Sequence, residues 1–227
     1  MGPDARVGVY YSPCQDDPLF VAGAAWLGRD TGSGAAVVQP ELPGIDEVTA
    51  EARRYGFHAT MKPPMRLAAR SSWDELLDVT HELASQIAPF ELPMLQVRNL
   101  HGFLALRETS VCPPLQALAD LCVEGLDRFR AQPSEAELAR RRRAGLTDAQ
   151  DAMLVRFGYP YVLTTWFFHM TLTRRLSTEE HEFWRPEAER FFAAAVRMPR
   201  IVTDICLFTQ TSAGMPFTVA ERIALRG

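Results

Sequence analysis

Phe57-His58-Ala59-Thr60-Met61 and Phe168-His169-Met170-Thr171-Leu172 are the two stretches on which the reading of this chain turns. Both run aromatic, histidine, apolar, threonine, apolar. Side chains alternate between faces along an extended strand. Each stretch therefore presents His and Thr on one side and three apolar residues on the other. The pattern predicts two strands, Tyr55 to Met61 closed by Pro63 and Pro64, and Val162 to Thr173. Each has an apolar face for a core and a polar face for a cleft.

Similar elements follow each strand. Ser72 with Glu75, and Ser177 with Glu180, are capping boxes that open helices reaching about Ala88 and Val196. Strands are expected at Glu91 to Arg98 and Phe103 to Arg107 after the first helix. After the second they are expected at Ile201 to Thr209 and Phe217 to Leu225. Ahead of this lie a strand at Arg6 to Ser12, a helix at Asp17 to Leu27 and a glycine- and proline-rich loop from Gly28 to Gly44. The order strand, capped helix, strand, strand thus occurs twice. It predicts two related lobes facing each other, near 55–107 and 162–226, within a single domain over 1–227. A helical, charged segment, 113–157, should lie between them.

The 227 residues are 47% apolar, enough for a core without metals or disulfides. A formal charge of −4 gives no global basic field, which disfavours long nucleic acid and favours a small anionic partner. Net charge does hide local clusters. The cysteines Cys14, Cys112, Cys122 and Cys206 form no C-x-x-C pair and no zinc spacing, so no metal and no cofactor is expected. Met1 to Arg6 does not resemble a signal peptide, and no apolar run spans a membrane, so a soluble cytoplasmic protein is expected. Nothing in the sequence sets the oligomeric state.

If the lobes are related by an approximate two-fold axis, His58, His169, Thr60 and Thr171 share one centre. Two histidines can divide proton abstraction and donation, since imidazole titrates near neutrality. Two hydroxyls can hydrogen-bond non-bridging phosphate oxygens. The set suits phosphodiester chemistry.

These residues resemble the two-histidine (2H) phosphoesterase superfamily, whose signature is a pair of H-x-[ST]-x motifs. Here they are His58-Ala59-Thr60-Met61 and His169-Met170-Thr171-Leu172. RRYGFHATMKPP (Arg53 to Pro64), GYPYVL (Gly158 to Leu163) and FHMTLTRRL (Phe168 to Leu176) are similar to one branch, often encoded beside phosphonate-degradation genes. RVGVYYSP and AAWLGRD near the start are similar to it too. The resemblance implies an α+β fold of two pseudo-symmetric lobes, each an antiparallel sheet with outer helices, facing a central groove. It also implies a metal-independent phosphodiesterase acting on cyclic phosphodiesters such as 2′,3′-cyclic nucleotides, with a ribose cyclic phosphate suggested by the phosphonate-linked branch.

Around this centre, Lys62 shares the strand parity of His58 and Thr60 and is expected to reach the phosphate. Thr173 holds the equivalent place after Thr171. Arg174 should point away. Of the tyrosine pair near the start, Tyr11 is expected to face the substrate, and Tyr55 should turn from the cleft. The run Arg140 to Arg143 reads as a solvated helix face, or as a basic lid over an anionic substrate. His81, His101 and His181 read as helix and loop residues. Which motif histidine is acid and which base stays open. Two rival readings remain: a non-catalytic sensor of a nucleotide or sugar phosphate, and an RNA-end processing enzyme.

Overall fold

A computed structural model describes residues 2, 4–143 and 145–227. Met1 and Pro3, within the stretch read for a leader, lie outside the described residues, as does Ala144. The strands are β1 (Arg6–Tyr11), β2 (Ala59–Met65), β3 (Phe90–Leu92), β4 (Leu95–Leu100), β5 (Phe103–Glu108), β6 (Met170–Arg175), β7 (Arg200–Val202), β8 (Asp204–Gln210) and β9 (Thr218–Ala224). The α-helices are α1 (Pro18–Leu27), α2 (Ile45–Tyr55), α3 (Trp73–Ala84), α4 (Pro113–Gly125), α5 (Glu135–Arg142), α6 (Asp148–Phe157) and α7 (Thr178–Val196). The class is α+β. A seven-stranded sheet runs β4-β5-β6-β2-β1-β8-β9, antiparallel at every pairing, and β3 pairs with β7 apart from it.

Both expected capping boxes form. The Ser72 hydroxyl accepts the Glu75 N–H, and the Ser177 hydroxyl accepts the Glu180 N–H. Each glutamate carboxylate reaches back to its cap N–H. These reciprocal bonds satisfy two of the otherwise unpaired donors at each helix start.

Four features extend or correct the expectations. First, the sheet pairs strands across the two sequence copies. The hairpin β4–β5 of the first copy pairs with β6 of the second, while β8–β9 of the second joins β2 of the first through β1. A strand pairs with whichever edge lies beside it, and this exchange buries the apolar faces of both copies in one core instead of two small ones. Second, Ile45 to Tyr55 is a helix with Val48, Thr49 and Ala52 buried. It stops where Gly56 takes a φ of 80°. Tyr55 therefore belongs to α2 and not to a strand. Third, the strand continues through Pro63 and Pro64. β2 meets β6 only at Ala59 opposite Met170, so its β6-facing edge carries no ladder there for the prolines to break. Fourth, the second motif strand begins at Met170, and Leu163–Thr165 is a 3₁₀ turn.

The core lies on one face of the large sheet. Ala59 and Met61 of β2, and Met170 and Leu172 of β6, pack with Trp26, Leu76, Leu118 and Phe192 from α1, α3, α4 and α7. The other face of β2 and β6 is left to a cavity.

Candidate active site

β2 and β6 run in opposite directions and touch at their first residues. Each motif histidine immediately precedes its strand. Continuing the Ala59–Met170 register by one residue either way sets His58 across from Thr171 and Thr60 across from His169. All four line one cavity of about 710 Å³. The period-2 alternation then sends Ala59, Met61, Met170 and Leu172 into the core behind them.

Backbone carbonyls orient both rings. The His58 Nδ1 lies 2.8 Å from the Gly56 carbonyl oxygen, and the His169 Nδ1 lies 3.1 Å from that of Phe167. A carbonyl only accepts, so Nδ1 carries the proton in each ring. Nε2 is left as a lone pair when the ring is neutral, and as a donor when it is charged. In His58 this nitrogen is 3.3 Å from the Thr60 hydroxyl. Gly56 itself must be glycine. Its φ is positive, and a Cβ would fall 2.4 Å from the Thr31 side chain.

Each strand is further held by an indole. Trp166 Nε1 donates to the Thr60 carbonyl at 2.8 Å, and Trp26 Nε1 donates to the Leu172 carbonyl at 3.0 Å. The Ser12 hydroxyl donates to the Phe57 carbonyl at 3.1 Å.

Burial dominates the electrostatics. The ring of His58 stacks on Tyr10 at 3.9 Å between centroids and lies 6.0 Å from Phe208. Desolvation pulls its pKa down to about 4, opposed by the Gly56 carbonyl and reinforced by the nearby His169. Desolvation also lowers the pKa of His169, opposed by the Phe167 carbonyl, while Arg107 lowers it a little further. Both imidazoles are thus poised to be neutral near pH 7 in the free protein, and a bound anion would raise both.

Thr173 lines the cavity, but its hydroxyl accepts the Leu104 N–H at 3.0 Å, across an irregularity in the β5–β6 register. Lys62 does not line the cavity. The register slips between Val9 opposite Lys62 and Tyr10 opposite Thr60. That bulge takes Lys62 out of phase with Thr60. Its buried ammonium donates to the Val123 carbonyl at 3.0 Å and lies 3.4 Å from Asp127. Tyr11 points the other way, into the core beside Phe168. Tyr10 takes the place expected of Tyr11.

The walls hold residues that strand reasoning missed. Tyr55, at the end of α2, lines the cavity together with Tyr159 and Phe103. Arg6, Arg141, Arg174 and Arg175 do so as well, with Glu51 as the one carboxylate among them. Arg174 was expected to point away, but the irregular β6 register brings it in. Arg141 belongs to the arginine run. Its guanidinium sits 4.7 Å above the Tyr159 ring, whereas Arg142 pairs outward with Asp151 at 2.6 Å. Of the other histidines, His101 lies in an exposed turn at a φ of 51°, and His181 Nε2 is 3.1 Å from the Gly102 carbonyl. Among the described residues, no group of three or more His, Cys, Asp or Glu side chains could hold a metal ion, and no helix is long and apolar enough to cross a membrane.

Two His-x-Thr motifs thus share one cavity on an α+β fold. Residues 60–218 match the family described as "Protein of unknown function (DUF1045)", and the chain belongs to that family. It is 38% identical over 98% of its length to a protein of Janthinobacterium sp. (strain Marseille) named ribose 1,5-bisphosphate phosphokinase PhnN, covering 51% of that protein. A protein of the same name from Laribacter hongkongensis (strain HLHK9) is 32% identical over 97% of the chain, which covers 52% of it. The chain therefore spans about half the length of these curated relatives. Among solved structures, Escherichia coli LigT complexed with 3′-AMP aligns over 99% of both chains, at 15% identity and a TM-score of 0.48. A phosphoesterase aligns over 100% of both chains, at 14% identity and a TM-score of 0.45.

Proposed function

We propose that this chain is a metal-independent phosphodiesterase that opens a cyclic phosphodiester by acid–base catalysis between His58 and His169. The observation that carries the reading is the matched fixing of the two rings: each Nδ1 is tied to a carbonyl two residues upstream, and both rings line one cavity. With Nδ1 committed, Nε2 is the reacting nitrogen in both.

His58 is the general base. Its ring is the more strongly held neutral, so it is ready to take a proton from the water that attacks phosphorus as the ring P–O bond breaks. His169 is the general acid. Its lowered pKa rises when an anionic phosphate binds, and the imidazolium then protonates the leaving oxygen. Thr60 and Thr171 hydrogen-bond the non-bridging oxygens, where negative charge grows. The substrate class is a 2′,3′-cyclic nucleotide or a ribose cyclic phosphate. The name of the curated relatives supports the second by placing a ribose phosphate in their chemistry, and supports a role in phosphonate metabolism.

The test is hydrolysis of a panel of 2′,3′-cyclic nucleotides and ribose cyclic phosphates in EDTA, by the wild type, His58→Ala and His169→Ala. Turnover should survive EDTA and fall by roughly 10²–10⁴-fold in each variant. Turnover that neither substitution affects would place the chemistry elsewhere.

A further inference from the structure

The cavity is far larger than one phosphate, and its volume is that of a pocket for a whole small molecule. Its charge is also unbalanced. Arg174 is matched by Glu47 and Glu180, both at 2.9 Å. Among the described residues, no carboxylate lies within ion-pair distance of Arg6, Arg141 or Arg175. Among the described residues, the Arg6 side chain donates only to the neutral Gln210 side chain, at 2.8 Å. Unmatched guanidiniums in a recessed wall favour an anion.

Two of these arginines belong to one aromatic wall on the His58 side. The Arg6 guanidinium lies 5.3 Å from the centre of the Phe217 ring, and Tyr55 stacks on the same ring at 5.3 Å and 16°. Arg141 lies over Tyr159. Tyr10 joins this wall to the motif, since its ring lies on His58 and it pairs with Thr60 across the β1–β2 ladder. The Tyr10 hydroxyl is buried and has no hydrogen-bond partner among the described residues. Arg6 is four residues further along β1, about 13 Å at the ordinary strand rise. That separation along the strand leaves room for a second group beyond a phosphate held by Thr60.

We propose that the wall of Arg6, Arg141, Tyr55 and Tyr159 is a second anion subsite, which takes a terminal phosphomonoester while the phosphodiester lies between the histidines. The preferred substrate is a small sugar or nucleoside that carries both groups. Guanidiniums match phosphate oxygens in bidentate fashion, and the phenols can donate to the oxygens that remain. This deepens the phosphodiesterase reading and rests on it for the identity of the first phosphate.

The test compares kcat/KM for a 2′,3′-cyclic nucleotide and for the same compound bearing a 5′-phosphate. The wild type should prefer the 5′-phosphorylated form by at least about tenfold. Arg6→Gln and Arg141→Gln should each cut that preference by roughly 10- to 100-fold, the worth of a charge-assisted hydrogen bond, and chiefly through KM. Arg140→Gln, outside the cavity, should leave it intact. A wild-type ratio near one overturns the proposal, as does a preference lost only in Arg175→Gln, at the other end of the cavity. Calorimetric binding of ribose 5-phosphate supplies a readout that needs no turnover. It should persist in the His58→Ala/His169→Ala double variant and weaken in Arg141→Gln. Turnover of both cyclic substrates without preference sinks the subsite and leaves the phosphodiesterase. Ribose 5-phosphate binding that depends on Arg141, with neither cyclic substrate turned over, supports the subsite and sinks the phosphodiesterase. Binding that ignores Arg141 overturns the subsite on its own.

Discussion

The rings of Tyr10 and His58 lie face to face, 3.9 Å between centroids and 30° apart in plane. Burial, to which this contact contributes, outweighs any charge in setting the protonation state of His58. Tyr10 is completely buried and keeps water off one face of the imidazole, and desolvation is the largest cause of its low pKa.

The pH dependence of kcat/KM should follow. His58 must be neutral to act as a base, so the acid limb falls near pH 4. His169 must be protonated to act as an acid, and its lowered pKa puts the alkaline limb below the reference value of about 6.5. The optimum is expected on the acid side of 6.5. In Tyr10→Ala water reaches the ring, and the acid limb should move up toward 6.5. A pH–rate series on both proteins checks this, and an acid limb that stays put in Tyr10→Ala would rule out the stacking account.

Acid stability carries the same signature. The unfolded chain binds a proton on His58 below about pH 6.5, whereas the folded chain binds it only below about 4. Between these values the unfolded state holds more protons, so stability falls as pH drops through the window. The loss from this group is on the order of 3 kcal/mol by pH 4. Denaturant melts at pH 7.5 and pH 4.5 should therefore show a smaller acid-induced loss in His58→Gln than in the wild type. Equal losses would mean that the ring is not held neutral by burial.

Gly8 makes room for Tyr10. A Cβ at residue 8 would fall 2.7 Å from the phenol carbon Cζ. Gly8→Ala should cost about 1–3 kcal/mol of stability by overpacking and push the ring off His58. In a chain of this size that is a fall in Tm of roughly 2–4 °C per kcal/mol. Adding Tyr10→Leu should recover much of the stability but not the activity. Thermal melts of the single and double variants decide the matter, and additive losses would disprove the contact.

Lys62 is a structural group. Lys62→Met keeps the volume of the stem but strips the donor from the Val123 carbonyl, while Asp127 keeps Arg130 at 2.8 Å. A loss of about 1–2 kcal/mol is expected in a urea titration, with kcat/KM within about twofold of wild type. A drop of more than tenfold in kcat/KM would return Lys62 to the site.

The parts governed by local periodicity were legible in the residues alone. The repeated His-x-Thr pattern put two histidines and two threonines on the face opposite Met61 and Leu172, because strand alternation depends only on the backbone. Both capping boxes were legible for the same reason: the partners lie three residues apart. Tertiary structure decided the rest. A bulge between β1 and β2 turned Lys62 inward, and the irregular pairing of β5 with β6 brought Arg174 to the cavity. Neither slip has a signature in one strand alone, since register is a property of two strands. The choice of Tyr10 over Tyr11 depended on which face of β1 met the cavity, and that was fixed by pairing with β2 and β8. Tyr55, Tyr159, Arg6 and Arg141 come from a helix end, a loop, a strand start and a short helix. Their convergence on one cavity is set by how the elements pack, which no spacing along the chain encodes.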